Sequence, residues 1–166
     1  MKKILLVFAF VFGLSATASA GLLVEPKLGY FTGDFNSTTD NSTNGLLFGV
    51  KLGYSFLGGY AALEFETGDL GGDLSDTTAT NYGLTLGYNF PILINAWFTF
   101  VFDPTVTQSQ DFSGGSGIKI GGAYKFLPLF SAYLEYVDLS YTKLNGVSLA
   151  SDAKLSGFQF GAMATF

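Results

Sequence analysis

Apolar residues alternate with small or polar ones along a stretch that the rest of the chain repeats. In residues 46–56 (LLFGVKLGYSF) every even position is apolar or aromatic, and from Gly49 onward the odd positions are Gly, Lys or Ser. Alternation with a period of two predicts a β-strand. A face of glycines cannot form the core of a soluble sheet. It can line the crowded interior of a small closed barrel whose apolar face points into lipid.

Three later segments repeat the pattern, at residues 82–90, 117–126 and, more loosely, 157–166. Four copies predict four hairpins. Apolar alternation starting near Leu22, Tyr60, Ala96 and Ser131 supplies the four partner strands. Because proline lacks a ladder donor, we expect Pro26 to delay regular pairing of the first strand until about Lys27.

The connections alternate between short turns and long polar segments. The short turns are predicted at residues 57–59, 91–95 and 127–130, and long loops rich in Ser, Thr, Asn, Asp and Gly at residues 33–44, 69–80, 104–116 and 140–153. Outer-membrane barrels have short periplasmic turns and long external loops in this order. The sequence therefore predicts an all-β fold, an eight-stranded antiparallel up-and-down transmembrane β-barrel over residues 21–166.

Residues 1–20 have the features of a cleavable signal peptide. Lys2 and Lys3 precede an apolar run over residues 4–14, and Ala18-Ser19-Ala20 has the small-x-small pattern of a cleavage site. The apolar run is too short to cross a bilayer as a helix, which needs about 20 residues. We expect one mature barrel domain in the bacterial outer membrane.

Composition supports a lipid-facing barrel and excludes several function classes. The chain is 48% apolar and 17% aromatic but only 13% charged, which suits a membrane barrel better than a soluble protein. It has no Cys, and therefore no disulfide or thiol chemistry. Without Lys2 and Lys3 the net charge is about −7, which argues against nucleic acid as a partner.

Eight charged residues fall on the predicted inward face, four of each sign. They are Glu25, Lys27, Lys51, Glu64, Glu66, Lys119, Lys125 and Glu135. A one-residue slip would turn them all to lipid, where a midplane Lys costs about 2–4 kcal/mol. Such a network either gates a narrow channel or fills and rigidifies the barrel. We favour filling, because an eight-stranded interior is just wide enough for side chains.

Aromatic residues end the descending strands at one predicted level. The predicted girdle consists of Tyr54, Phe56, Tyr88, Phe90, Tyr124 and Phe126, with the terminal Phe166 on the same outward face. Amphipathic rings at one height are typical of a membrane interface. On the fifth strand, Trp97, Thr99, Val101 and Asp103 are expected to share one face.

These features resemble the small eight-stranded outer-membrane barrels, the group of the OmpA transmembrane domain, OmpX and the opacity proteins. The resemblance covers the whole mature chain. It implies contacts with outer-membrane lipid and lipopolysaccharide and no cofactor, and we expect no metal site. It also implies that the C-terminal residues Phe158, Phe160 and Phe166 form the signal read by the barrel-assembly machinery, although Ala164 replaces the Tyr often found two residues before the end.

The expected function is a structural or surface-interaction role through the four external loops. The alternative is a narrow pore for ions or small solutes, gated by the charge network. A soluble lipocalin-like carrier has the opposite arrangement of faces. Some barrels of this size use His and Ser to modify lipid A, but this chain has no His, so we expect no enzymatic activity and no catalytic residues. Small residues on the lipid-facing side would let neighbouring barrels approach closely, which keeps a homo-oligomer as an alternative. They are Gly122, Ala132, Ala162 and Ala164.

Overall fold

The computed structural model describes residues 21–37, 40–72, 77–107 and 110–166, which form eight β-strands. The strands are β1 (Gly21–Asn36), β2 (Asp40–Phe56), β3 (Gly59–Gly72), β4 (Thr77–Asn89), β5 (Ile94–Thr107), β6 (Asp111–Lys125), β7 (Phe130–Leu144) and β8 (Val147–Ala164). The predicted signal peptide lies outside the described residues. Within the described ranges, no helix has the length and hydropathy needed to cross a membrane.

The strands close into a barrel in sequence order. Each strand pairs antiparallel with its neighbour in the chain, and β1 pairs with β8 to complete the circle. The predicted eight-stranded up-and-down barrel is confirmed. The register places Lys51 of β2 between Glu25 of β1 and Glu64 of β3, which brings charged side chains from three strands to one level of the interior.

The two faces of the wall differ as the alternation predicts. On β2, Leu46, Phe48 and Leu52 are 60%, 53% and 52% exposed, whereas Lys51 is 0% exposed. Inward glycines make room for large side chains from the neighbouring strand. Gly121 lies opposite Trp97, and a Cβ at Gly121 would collide with the indole ring.

The predicted extents of the four long loops are wrong, because most of those residues continue the strands. Of residues 33–44, only 37–39 lie between strands, and of residues 140–153, only Asn145 and Gly146 do. Asn145 and Gly146 have φ values of 51° and 79°. Two positive φ values define the two-residue hairpin turn in which Asn-Gly is favoured.

The strand extensions divide the barrel into two halves at a ring of outward apolar residues. The ring consists of Tyr30, Leu46, Phe65, Tyr82, Phe102, Ile118, Tyr136 and Phe158. We call the part between this ring and the short turns the belt half, and the strand ends beyond the ring the hairpin half. On β1, the belt half presents the exposed Leu28 outward and the hairpin half presents the exposed Thr32 and Asp34.

The pairing of β1 departs from expectation on one side and agrees with it on the other. β1 pairs with β2 from Gly21 onward, through Pro26, so pairing on that side is not delayed. The regular pairing with β8 does begin at Lys27. Backbone bonds alternate between the two sides of a strand, and Val24 bonds with Phe166, at 3.2 and 3.0 Å. The missing N–H of Pro26 therefore faces β8.

Two residues lie elsewhere than predicted. Phe166 is only 8% exposed, so it is not part of an exposed aromatic girdle; its backbone bonds to Val24 hold it against β1. Asp103 is exposed rather than inward. Its φ is 49°, and the pairing of β5 with β6 is interrupted after Phe102 and resumes at Val106, which turns the carboxylate outward to accept a bond from Gly114 N–H at 3.2 Å.

The filled lumen

Side chains fill the described interior of the barrel in three layers. Nearest the turns is an apolar layer of Leu23, Tyr60, Ala62, Trp97, Ala123, Tyr133 and Met163. The middle layer contains the buried charges. Beyond it, in the hairpin half, is a larger apolar layer of Phe31, Phe35, Leu47, Leu70, Ala79, Val101, Val106, Val137, Leu139, Tyr141, Ala153 and Leu155.

Lys27 is the centre of the middle layer. Its Nζ lies 2.9 Å from Glu64 Oε1, 2.8 Å from Glu66 Oε2 and 3.4 Å from Glu135 Oε1. These carboxylates come from β3 and β7, on either side of the lumen from β1. One ammonium group therefore ties together three strands that are not all neighbours.

Lys119 approaches the same carboxylates from β6. Its Nζ lies 2.5 Å from Glu66 Oε1, 2.9 Å from Glu64 Oε1 and 3.8 Å from Glu135 Oε1. Both lysines and all three carboxylates are buried. Buried charges are tolerated only when they are paired and hydrogen-bonded, so these five residues act as one unit.

Lys51 and Glu25 form a second pair beside this unit. Lys51 Nζ lies 3.0 Å from Glu25 Oε1, and it sits 3.8 Å from the centroid of the Trp97 ring, which is a cation–π contact. Thr165 Oγ1 donates to the other Glu25 oxygen at 2.9 Å. Both oxygens of Glu25 are thus bonded.

Uncharged side chains complete the hydrogen bonds of the carboxylates. Trp97 Nε1 donates to Glu135 Oε2 at 2.9 Å, and Thr85 Oγ1 donates to Glu64 Oε2 at 3.2 Å. Gln159 Nε2 donates to Glu66 Oε2 at 3.0 Å. Sequence reasoning missed these three donors, although each has the inward parity of its strand.

The three central carboxylates are close enough to hold a cation, since one oxygen of each lies within 4.8 Å of the others. The ammonium groups of Lys27 and Lys119 already contact all three. The side chains themselves therefore neutralise most of the carboxylate charge. The chemical effect of the arrangement is to join strands across the lumen.

Seven of the eight predicted lumen charges come together. The exception is Lys125, which is half-buried at the turn end of β6 and makes no ion pair with any acidic group in the described ranges. The six predicted girdle residues are all exposed, from Phe90 at 43% to Phe56 at 60%. Phe158 and Phe160 are 51% and 49% exposed, in contrast to Phe166.

No family model and no curated protein matches the sequence. Solved structures do match the fold. Neisserial surface protein A (NspA) aligns over 89% of this chain and 99% of its own, at 15% identity and a TM-score of 0.61. The outer membrane protein OprG from Pseudomonas aeruginosa aligns over 90% of this chain and 96% of its own, at 13% identity and a TM-score of 0.44. The chain has the fold of the small bacterial outer-membrane β-barrels.

Proposed function

We propose that this outer-membrane barrel has a closed lumen and acts at the cell surface through its hairpin half, in a structural or interaction role. The proposal includes no enzymatic activity. Its partners are outer-membrane lipid and lipopolysaccharide around the belt and the barrel-assembly machinery during insertion. The external surface is formed by the extended strand hairpins rather than by long loops.

The three-layer filling of the lumen is the observation that supports a closed barrel. A continuous pathway would have to pass the aromatic layer around Trp97 and Tyr133, the ion-paired layer, and the apolar layer around Phe35 and Tyr141. The charged side chains of the middle layer are 0–3% exposed. An ion that enters a packed apolar layer loses its hydration shell, at a high free-energy cost. Rearranging the salt bridges alone would therefore not open a pathway.

Planar-bilayer conductance of the refolded mature protein tests this proposal against the gated pore. We expect no discrete steps from the wild type, nor from Lys51→Ala, because the two apolar layers remain in place. Steps in the wild type that change in size or frequency in Lys51→Ala would overturn the closed-lumen proposal in favour of a pore gated by the network. Insertion is checked by protease protection of the same refolded protein reconstituted in lipid vesicles.

An epitope inserted between Asn145 and Gly146 tests the surface role. These residues form the tip of the β7–β8 hairpin, and a Cβ added at Gly146 would have no neighbouring atom within 4 Å, so the insertion disturbs little packing. We expect antibody to bind intact cells. Binding only after the outer membrane is permeabilised would contradict a surface-exposed hairpin half.

A further inference from the structure

The three short turns form an apolar tip at the end of the barrel opposite the hairpins. Their exposed side chains include Leu57 at 76%, Ile92 at 67%, Leu93 at 52% and Leu127 at 51%. Turns in water are usually built from Gly, Pro, Asn, Asp and Ser. A contiguous exposed apolar surface of this kind marks contact with lipid or with another protein.

The length of the belt half indicates which of the two covers the tip. From Tyr82 in the ring to Phe90 at the turn, β4 rises roughly 20 Å along the membrane normal, at about 3.3 Å per residue and about 40° of tilt. The apolar band of such barrels is about 25 Å tall. The belt half alone is about 5 Å too short, and the apolar turns provide the missing height.

The backbone of the turns is bonded in the way that lipid requires. Gly58 O accepts from Asn89 N–H at 2.7 Å, Leu93 O from Lys125 N–H at 2.8 Å, and Leu129 O from Thr165 N–H at 2.9 Å. Each bond joins a turn to the next strand along the barrel. Irregular backbone at membrane depth is tolerated only where its polar groups are satisfied by protein, and these bonds satisfy turn carbonyls that water would otherwise reach.

The distribution of charged residues also favours contact of the turns with lipid. Within the turns and the two residues on either side of each, Lys125 is the one charged residue, whereas every Asp in the described ranges lies in the hairpin half or its connections. We propose that the apolar tip is immersed in the lipid interface of the leaflet on the turn side. The barrel would then end within the membrane boundary on that side and project into water only at its hairpin half.

Spin labelling tests the immersion directly, because the chain has no Cys and each introduced thiol is unique. Leu127→Cys and Leu93→Cys report on two turns, Leu52→Cys reports on the belt, and Ser148→Cys reports on the exposed hairpin end. In phospholipid vesicles, we expect nitroxides at 127 and 93 to be relaxed by oxygen less strongly than the label at 52, which lies deeper in the bilayer, but more strongly than the label at 148. The water-soluble nickel complex NiEDDA should relax them several-fold less than it relaxes the label at 148.

Equal access of NiEDDA to positions 127, 93 and 148 would overturn the proposal. Access in pure lipid vesicles, but protection in native outer membranes, would overturn it too, and would show that a protein partner covers the tip. Folding of each labelled variant is checked separately by its β-sheet circular dichroism and by its mobility in unheated SDS gels, so a misfolded variant is recognised before its turn label is interpreted. The outcome does not depend on whether the lumen conducts.

Discussion

The belt half and the hairpin half of this barrel have opposite arrangements of polar and apolar residues. In the belt half, Leu28 and Phe48 are exposed while Lys27 and Lys51 are fully buried. In the hairpin half, Phe35 is buried at 2% exposure and its neighbours Asp34 and Asn36 face outward. The same backbone continues through both. The outer face is thus apolar in the belt half and polar in the hairpin half, which matches lipid outside the first and water outside the second.

Irregular pairing occurs at the ring and beyond it, on the side of the hairpin half. The register of β7 with β8 shifts well beyond the ring, between Tyr141 and Lys143, whereas that of β4 with β5 shifts at the ring, between Thr80 and Tyr82. The β5–β6 interruption at Asp103 lies at the same border. Bulges at barrel rims re-aim side chains, as at Asp103, whereas β1 and β2 pass from a charged to an apolar interior with their pairing unbroken.

The largest expected effect comes from breaking the interior of the belt half. Lys119→Met leaves Glu64, Glu66 and Glu135 with Lys27 as the one ammonium group that contacts all three. Removing one partner of a buried ion pair costs about 3–5 kcal/mol, because the remaining charge is uncompensated. Urea unfolding in lipid vesicles measures the loss.

Lys125→Met is the matched control for that change. The chemistry is identical and the residue lies on the same strand, but Lys125 is only half-buried and has no ion pair among the described residues. We expect a change in unfolding free energy within about 0.5 kcal/mol. Equal losses in the two variants would mean that the ion pairs do not account for the effect.

The next largest effect comes from placing a lysine on the outer face of each half, in lipid in one variant and in water in the other. Leu86 is 56% exposed and lies near the middle of the belt. Leu86→Lys places a charge in lipid there and should lower the unfolding free energy by about 2–4 kcal/mol. Thr32→Lys puts the same charge on the outer face of the hairpin half, where we expect a change within about 0.5 kcal/mol. If both variants unfolded at the same urea concentration, the outer faces of the two halves would not lie in different media.

The sequence was sufficient to predict the belt half because lipid permits few exceptions. Outward apolar alternation on eight strands and inward charges on five of them fixed the strand number, the topology and the positions of Glu25, Lys27 and Lys51. Lys125 has the same inward parity, yet it lies too near the turn end of β6 to reach the carboxylates. Parity places a side chain on a face but does not tell how far along the lumen its partners lie.

The sequence predicts loops in the hairpin half because its outer face has the composition of a loop. In residues 31–36, Phe31 and Phe35 point inward and Thr32 and Asp34 outward, which is the alternation of a soluble strand beneath a surface of Ser, Thr, Asn and Asp. The Asn145-Gly146 pair was the available signal for a tight hairpin. Neither the glycine-lined inner face of residues 46–56 nor the composition predicts the apolar layer in the hairpin half.

The smallest effect is expected at two turns that have the same backbone conformation but lie in different media. Leu57-Gly58 and Asn145-Gly146 both have positive φ at the two central residues, with Leu57 at 50° and Asn145 at 51°. Left-handed backbone costs most L-residues roughly 1–2 kcal/mol, whereas Asn adopts it readily. Asn145→Leu also removes the acceptor of Asp111 N–H at 2.9 Å, so we expect it to lower the unfolding free energy by about 1–2 kcal/mol.

Leu57→Asn is the reverse exchange and the finer test of where the apolar tip lies. In water, the substitution would stabilise the barrel by about 1 kcal/mol through the backbone preference alone. At a lipid interface, the loss of a leucine side chain from apolar surroundings opposes that gain by a comparable amount, so we expect no net stabilisation in vesicles. A clear gain in vesicle unfolding experiments would place Leu57 in water. We infer that contact of its side chain with lipid offsets the backbone cost of a leucine at this turn.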